Sequence, residues 1–206
     1  MFDFFPIHGS TLKKLIWLRN ATAALLPDGY TKIAGITMNN GPYYVITGFK
    51  LKGSDTLRFS FSATDACNIL GCYTTGSAQT NYSLYVGLNT AKYMRYNGGT
   101  YDSAIVVNTK YDVVMSPTGS TGIQNPSTWT EKDFTAASDM CVGTTSTGAT
   151  SAKLKGTLYG DLVVDGRLRL IPCKRTSDGE IGYYSPQTET FYTNQGSGTP
   201  TEYVPS

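Results

Sequence analysis

Leu154-Lys155-Gly156-Thr157-Leu158-Tyr159-Gly160-Asp161-Leu162-Val163-Val164-Asp165-Gly166-Arg167-Leu168-Arg169-Leu170-Ile171-Pro172 is the stretch whose reading decides the fold. Leu154, Leu158, Leu162, Val164, Leu168 and Leu170 hold even positions; Lys155, Thr157, Asp161, Asp165, Arg167 and Arg169 hold odd ones. Side chains alternate between the two faces of a strand, so this pattern predicts leucines inward and charges outward. Asp165-Gly166 falls where a tight hairpin turn needs positive φ, and two strands meet there.

Working downstream, Ser177-Asp178-Gly179 marks a second turn and Ser185-Pro186 a third. Ile181-Gly182-Tyr183-Tyr184 and Thr190-Phe191-Tyr192 fill the intervals, so residues 154–193 read as an antiparallel meander. Upstream, Leu57, Phe59 and Phe61 alternate with Thr56, Arg58 and Ser60 as a half-buried strand. Tyr43, Val45, Thr47 and Phe49 alternate with Tyr44, Ile46 and Gly48 as a strand covered on both sides, and Tyr82, Leu84, Val86 and Leu88 repeat the theme. Asn97-Gly98-Gly99 closes a strand carrying Met94 and Tyr96, Ile105-Val106-Val107 opens the next, and 116–128 reads as a loop. Nothing resembles the crossover helices of a parallel sheet. About a dozen short strands separated by turns imply an all-β, antiparallel two-sheet jelly-roll sandwich over residues 27–206.

Residues 1–26 differ. Met1-Phe2-Asp3-Phe4-Phe5-Pro6-Ile7 is aromatic, and Ser10 or Thr11 can cap a helix with Leu12, Leu15, Ile16 and Ala23 on one side. Trp17 lies opposite part of that stripe. A helix apolar on more than one side wants more than one neighbour, either its own domain or another subunit.

The 206 residues carry only 16% charged side chains, and Lys+Arg 17 against Asp+Glu 15 leaves +2. That balance argues against a nucleic-acid groove, which needs concentrated basic surface. No run approaches the roughly 18 apolar residues of a membrane span. Arg19 and Asn20 cut the apolar run after Lys13-Lys14 too short for a secretory signal. Cys67, Cys72, Cys141 and Cys173 fit neither a small disulfide scaffold nor paired zinc ligands, and they read as buried free thiols of a chain matured in a reducing compartment.

Two segments carry a resemblance. One is Leu26-Pro27-Asp28-Gly29-Tyr30-Thr31-Lys32 with Gly41-Pro42-Tyr43-Tyr44-Val45-Ile46-Thr47-Gly48. The other runs from Gly160 to Cys173, then through Ser177-Asp178-Gly179-Glu180-Ile181-Gly182-Tyr183-Tyr184 to Phe191-Tyr192-Thr193-Asn194 and Gly196-Ser197-Gly198. They resemble the opening and closing segments of concanavalin A-like (laminin G-like) jelly-roll domains. Such domains occur in virion proteins of tailed phages, including the crAss-like group of gut phages, and in bacterial surface proteins. The resemblance implies a virion structural protein assembled in the host cytoplasm, with capsid or other virion proteins as partners; the apolar arm and the missing catalytic set add the expectation of a homotrimeric head fibre or capsid decoration protein, with a tail-associated protein as the alternative that the sequence does not separate. Residues 1–26 are no part of the common domain; their apolar side chains make them the expected docking arm particular to this protein, through Phe4, Phe5, Leu15, Ile16 and Trp17. The resemblance also allows a calcium ion at a sheet edge, on no residue that the sequence names.

A second class is a carbohydrate-binding or receptor-binding adhesin, tail-associated or on a cell surface. Lectins stack sugar rings on aromatic side chains beside polar loops. Trp129, after the loop 116–128, and Tyr101, after Asn97-Gly98-Gly99-Thr100, are the candidate platforms; packing at a strand start is the competing reading for Trp129. A glycoside hydrolase is a remote third, because it needs two carboxylates facing across a cleft. Asp161 and Asp165 share a strand face about 13 Å apart beside a turn, which reads as solvated charge. A Ser/His/Asp apparatus would have to use His8, the single histidine. The sequence therefore points to no enzyme, no cofactor and no metal.

Overall fold

The computed structural model describes residues 26–39, 41–73, 81–86, 93–102, 105–145 and 153–206. The expected helix, His8 and the docking residues Phe4, Phe5, Leu15, Ile16 and Trp17 lie outside the described residues. The strands in chain order are β1 (Tyr30–Lys32), β2 (Gly35–Met38), β3 (Val45–Ile46), β4 (Leu57–Ala63), β5 (Cys67–Cys72), β6 (Tyr82–Val86), β7 (Tyr93–Tyr96) and β8 (Gly99–Asp102), followed by β9 (Tyr111–Ser116), β10 (Gly119–Thr121), β11 (Cys141–Val142), β12 (Gly156–Val164), β13 (Leu168–Arg175), β14 (Ile181–Ser185), β15 (Thr190–Tyr192) and β16 (Thr201–Glu202). No helix occurs among the described residues.

Two antiparallel sheets pack together as a β-sandwich. The larger runs β10-β9-β4-β12-β13-β14-β15, with β2 on β12, β16 on β2 and β1 on β13; the smaller runs β3-β11-β5-β6-β7-β8. Between them Phe61, Leu57, Leu158 and Leu170 from one sheet meet Ile69, Leu70, Tyr82 and Tyr96 from the other in one core. The tyrosines also tie the layers by hydrogen bonds. Tyr82 Oη donates to Met115 O (2.8 Å), and Tyr96 Oη donates to Gly53 O (2.9 Å). Burying those rings is favourable only because each hydroxyl finds a partner.

The deciding stretch forms β12 and β13 as expected, and all six even-position leucines and valines are buried. The turn differs in detail. Val164 pairs with Leu168 across three residues, and only Gly166 takes positive φ (69°), with Arg167 N bonded to Val164 O (2.9 Å).

β12 is irregular midway. Tyr159 pairs with Ser60 and Val163 with Arg58, so four steps on β12 match two on β4. Two extra residues sit in β12, with Gly160 at φ 58°. An even excess preserves the period-2 alternation, which is why Leu158 and Leu162 both face inward. At the same place β12 changes neighbour, pairing with β2 over Gly156–Tyr159 and with β13 over Leu162–Val164.

Three expectations are corrected. The strand expected over Tyr43–Phe49 shrinks to Val45–Ile46, because Gly48 turns at φ 67° and Thr47 Oγ1 accepts from Phe49 N (3.1 Å) while donating to Met140 O (2.8 Å). Ile105-Val106-Val107 starts no strand: Ile105 is buried, but Val106 and Val107 lie on a turn, with Asn108 at φ 61° and its N–H bonded to Ala63 O (2.7 Å). Within 116–128, Gly119–Thr121 folds back on β9 as a short hairpin.

Candidate functional site

Trp129 and Tyr101 come together, but as packing. Trp129 is 8% exposed; its indole stacks on Tyr96 at 5.1 Å and 17°, and Tyr101 tilts against it at 5.0 Å. Its Nε1–H donates to Ser116 O (3.0 Å). Trp129 is packed as the competing reading expects, its ring against the core and its N–H bonded to the backbone. Tyr101 itself is half-buried against the same core.

A different aromatic surface opens on the outer face of the larger sheet, where the two extra residues distort β12. Ala34, Ser60, Lys110, Tyr159, Gly160, Tyr203 and Pro205 line a shallow groove of about 390 Å³, near the lower end of ligand-pocket volumes. Tyr159 and Tyr203 form its aromatic wall, perpendicular (89°) with centroids 4.8 Å apart. Tyr159 is fixed through its hydroxyl to Ser62 Oγ (2.8 Å). Tyr203 is fixed through its backbone: β16 pairs with β2, and Tyr203 N donates to Gly35 O (2.9 Å). Gly160 N bonds to Ala34 O (2.8 Å) and shapes the floor.

The polar side is balanced. Lys110 Nζ lies 5.1 Å from the centre of the Tyr159 ring and 3.9 Å from Asp112 Oδ1. Ser60 Oγ donates to the same carboxylate oxygen (2.5 Å). Lys110 and Asp112 are both exposed, so ammonium and carboxylate can turn to an incoming partner. No local motif announced this site, because its residues come from five separated segments joined by sheet register.

The carboxylates weighed for hydrolysis are engaged. Asp161 pairs with Lys32 (3.0 Å) and accepts from Arg169 Nε (2.6 Å); Asp165 is gripped by Arg58 through Nε and Nη2 at 2.9–3.0 Å. Asp165 is solvated surface charge beside the turn, as its place implies, whereas Asp161 departs from that expectation: its side chain is mostly buried, between Lys32 and Arg169. All four cysteines are free and buried, and burial pushes their thiols up to about 11 (Cys67, Cys173) and about 12 (Cys72, Cys141). Thiols so raised are protonated and poor nucleophiles. Among the described residues, no group of three or more His, Cys, Asp or Glu is placed to hold a metal, and no helix is long and apolar enough to cross a membrane.

No family model, curated protein or solved structure matches the chain.

The two segments that carry the resemblance lie against each other. Tyr30, Thr31 and Lys32 pair with Arg175, Lys174 and Cys173. Asn194 Oδ1 accepts from Tyr44 N (3.1 Å), Gln195 N donates to Tyr44 O (2.8 Å), and Gly198 N donates to Pro42 O (2.8 Å). A side chain at Gly196 would collide with the Pro42 carbonyl, which accounts for glycine there.

Proposed function

We propose that this protein is a structural component of a tailed-phage virion, a head fibre or capsid decoration protein in which residues 1–26 dock a rigid sandwich onto neighbouring subunits. One observation carries the reading: the opening and closing segments that give the resemblance form a single hydrogen-bonded block, which the chain enters at Tyr30 directly after the apolar arm. A short segment bearing Phe4, Phe5, Leu15, Ile16 and Trp17 gains most by burial against a partner surface. Closed symmetry is the usual form of such assemblies, and a homotrimer is the proposed state. Virion location and capsid partners belong to the same proposal, as does the absence of a catalytic role. Native mass measurement of the full chain and of a chain lacking residues 1–26 tests it. The full chain should be trimeric and the shortened one a folded β-rich monomer; an unchanged oligomer in the shortened chain overturns the reading.

A second reading, carbohydrate binding, is favoured by one observation of its own, the groove walled by Tyr159 and Tyr203.

A further inference from the structure

We infer that the groove at the β12 irregularity is a binding site for neutral oligosaccharide, with Tyr203 and Tyr159 as the stacking wall and Lys110, Asp112 and Ser60 as the hydroxyl-binding edge. The inference rests on the carbohydrate-binding reading and is independent of the arm.

The ligand class follows from the chemistry present. A pyranose offers a C–H face and a rim of hydroxyls, each both donor and acceptor. The face is matched by an aromatic wall. Tyr203 suits it: the ring is half-buried, its single ring contact among the described residues is with Tyr159, and Val204 beside it is 73% exposed. The rim is matched by mixed donors and acceptors on one edge. Lys110 supplies N–H donors, the Asp112 carboxylate supplies acceptors, and Ser60 supplies a hydroxyl already tied to that carboxylate.

Charge decides against anionic ligands. Lys110, the one cation lining the groove among the described residues, is offset by Asp112. Among the groove's lining residues a sulfated or phosphorylated polymer would meet no uncompensated cation, whereas nucleic-acid and polyanion grooves carry excess positive charge.

The site is also stiff where it needs to be. The Tyr159 hydroxyl is held by Ser62, and Gly160 is pinned to Ala34, so one half of the wall is preorganised by the sheet. The other half hangs on two β16–β2 pairs and the Tyr203 N–H, which lets Tyr203 adjust to a ring without disturbing the core.

The test is saturation-transfer NMR and calorimetric titration of the full chain with neutral hexaoses of the β-glucan, α-mannan, α-glucan and xylan types. Sulfated and sialylated oligosaccharides and a proline decapeptide run alongside. At least one neutral hexaose should bind. Tyr203→Ala should weaken that binding about tenfold, a loss typical of a central aromatic contact. Tyr203→Phe should keep it within about threefold, and circular dichroism melts should show both variants folded. Absence of binding by all the neutral hexaoses overturns the proposal. So does binding that survives Tyr203→Ala but is lost in Tyr101→Ala, as does tighter, salt-sensitive binding of the anionic sugars, or capture of the peptide alone. The oligomeric state of the shortened chain is read separately, so failure here leaves the virion reading standing, and the reverse.

Discussion

The indole of Trp129 lies flat on Tyr96, 5.1 Å between centroids, while its N–H closes on Ser116 O. Through this stack the β9–β10 hairpin is tied to β7 of the opposite sheet, since Tyr96 also reaches Gly53 O and accepts from Lys132 N. Removing the indole empties a packed layer and leaves Ser116 O without that donor. Trp129→Ala should cost about 3–5 kcal/mol in urea unfolding, the usual penalty for deleting a buried aromatic. A variant with unchanged stability would show that the ring is not part of the core.

The thiols give a pH test. Burial is the largest cause in each case, raising Cys67 and Cys173 to about 11 and Cys72 and Cys141 to about 12 from an ordinary value of 9.0. Above pH 9 the unfolded chain releases these protons before the folded one does. The stabilisation is thus fully present below about pH 9 and is lost as pH rises through 11–12. Native protein at pH 8 should react with a thiol reagent such as DTNB far more slowly than unfolded protein, which should expose four thiols. Rapid stoichiometric labelling of native protein would contradict the burial.

The acid limb has a different origin. Hydrogen bonding to Lys155 lowers the Asp65 carboxyl, and hydrogen bonding to Arg175 lowers that of Asp178, each further lowered by a backbone N–H. A depressed carboxylate stabilises the fold above its unfolded pKa, and that contribution is lost as pH falls through the lower folded value, here below about 4. Asp178 is exposed and Asp65 about a third exposed, so the effect is small and screened by salt. Asp65→Asn with Asp178→Asn should flatten the decline in melting temperature between pH 4 and 2; an unaltered slope would rule these pairs out as its source.

Asp55 is a stiffer joint. Its side chain is 3% exposed and accepts from Arg167 and from Lys52 N (2.7 Å), while the guanidinium lies 4.4 Å over the Phe49 ring. Arg167→Ala removes an ion pair and a ring contact at once and strands a buried carboxylate. The expected loss is about 2–4 kcal/mol by chemical denaturation, below the full buried-pair penalty because Arg167 is partly exposed. A loss under about 0.5 kcal/mol would mean that water replaces the guanidinium.

Two glycines of β12 should respond differently. Gly156 has the Ser62 carbonyl where a Cβ would sit, so Gly156→Ala forces the β4–β12 pair apart. Gly160 is sterically open and needs only positive φ, so Gly160→Asn should cost less than about 1 kcal/mol and Gly160→Val distinctly more. Thermal melts of the three variants check the order.

How much of this was legible in the sequence depends on how local each signal is. The leucines of β12 and β13 announce their face because burial on one side imposes alternation on neighbours in the chain. Val106 and Val107 misled, since β-branched residues suit a strand but the backbone there turns at Asn108. Trp129 was ambiguous, because its partners Tyr96 and Ser116 lie 33 and 13 residues away. The groove was invisible: Ser60, Lys110, Tyr159 and Tyr203 meet only through strand pairing.

The irregularity in β12 has a consequence for descent. Because the surplus is a dipeptide, a relative could lose it, or gain it, in one in-frame step of six nucleotides without turning a single leucine outward. Loss of one codon instead of two would invert the remainder of the strand. The shape of this outer surface is thereby uncoupled from the interior, and the proposed site could be altered without repacking the core.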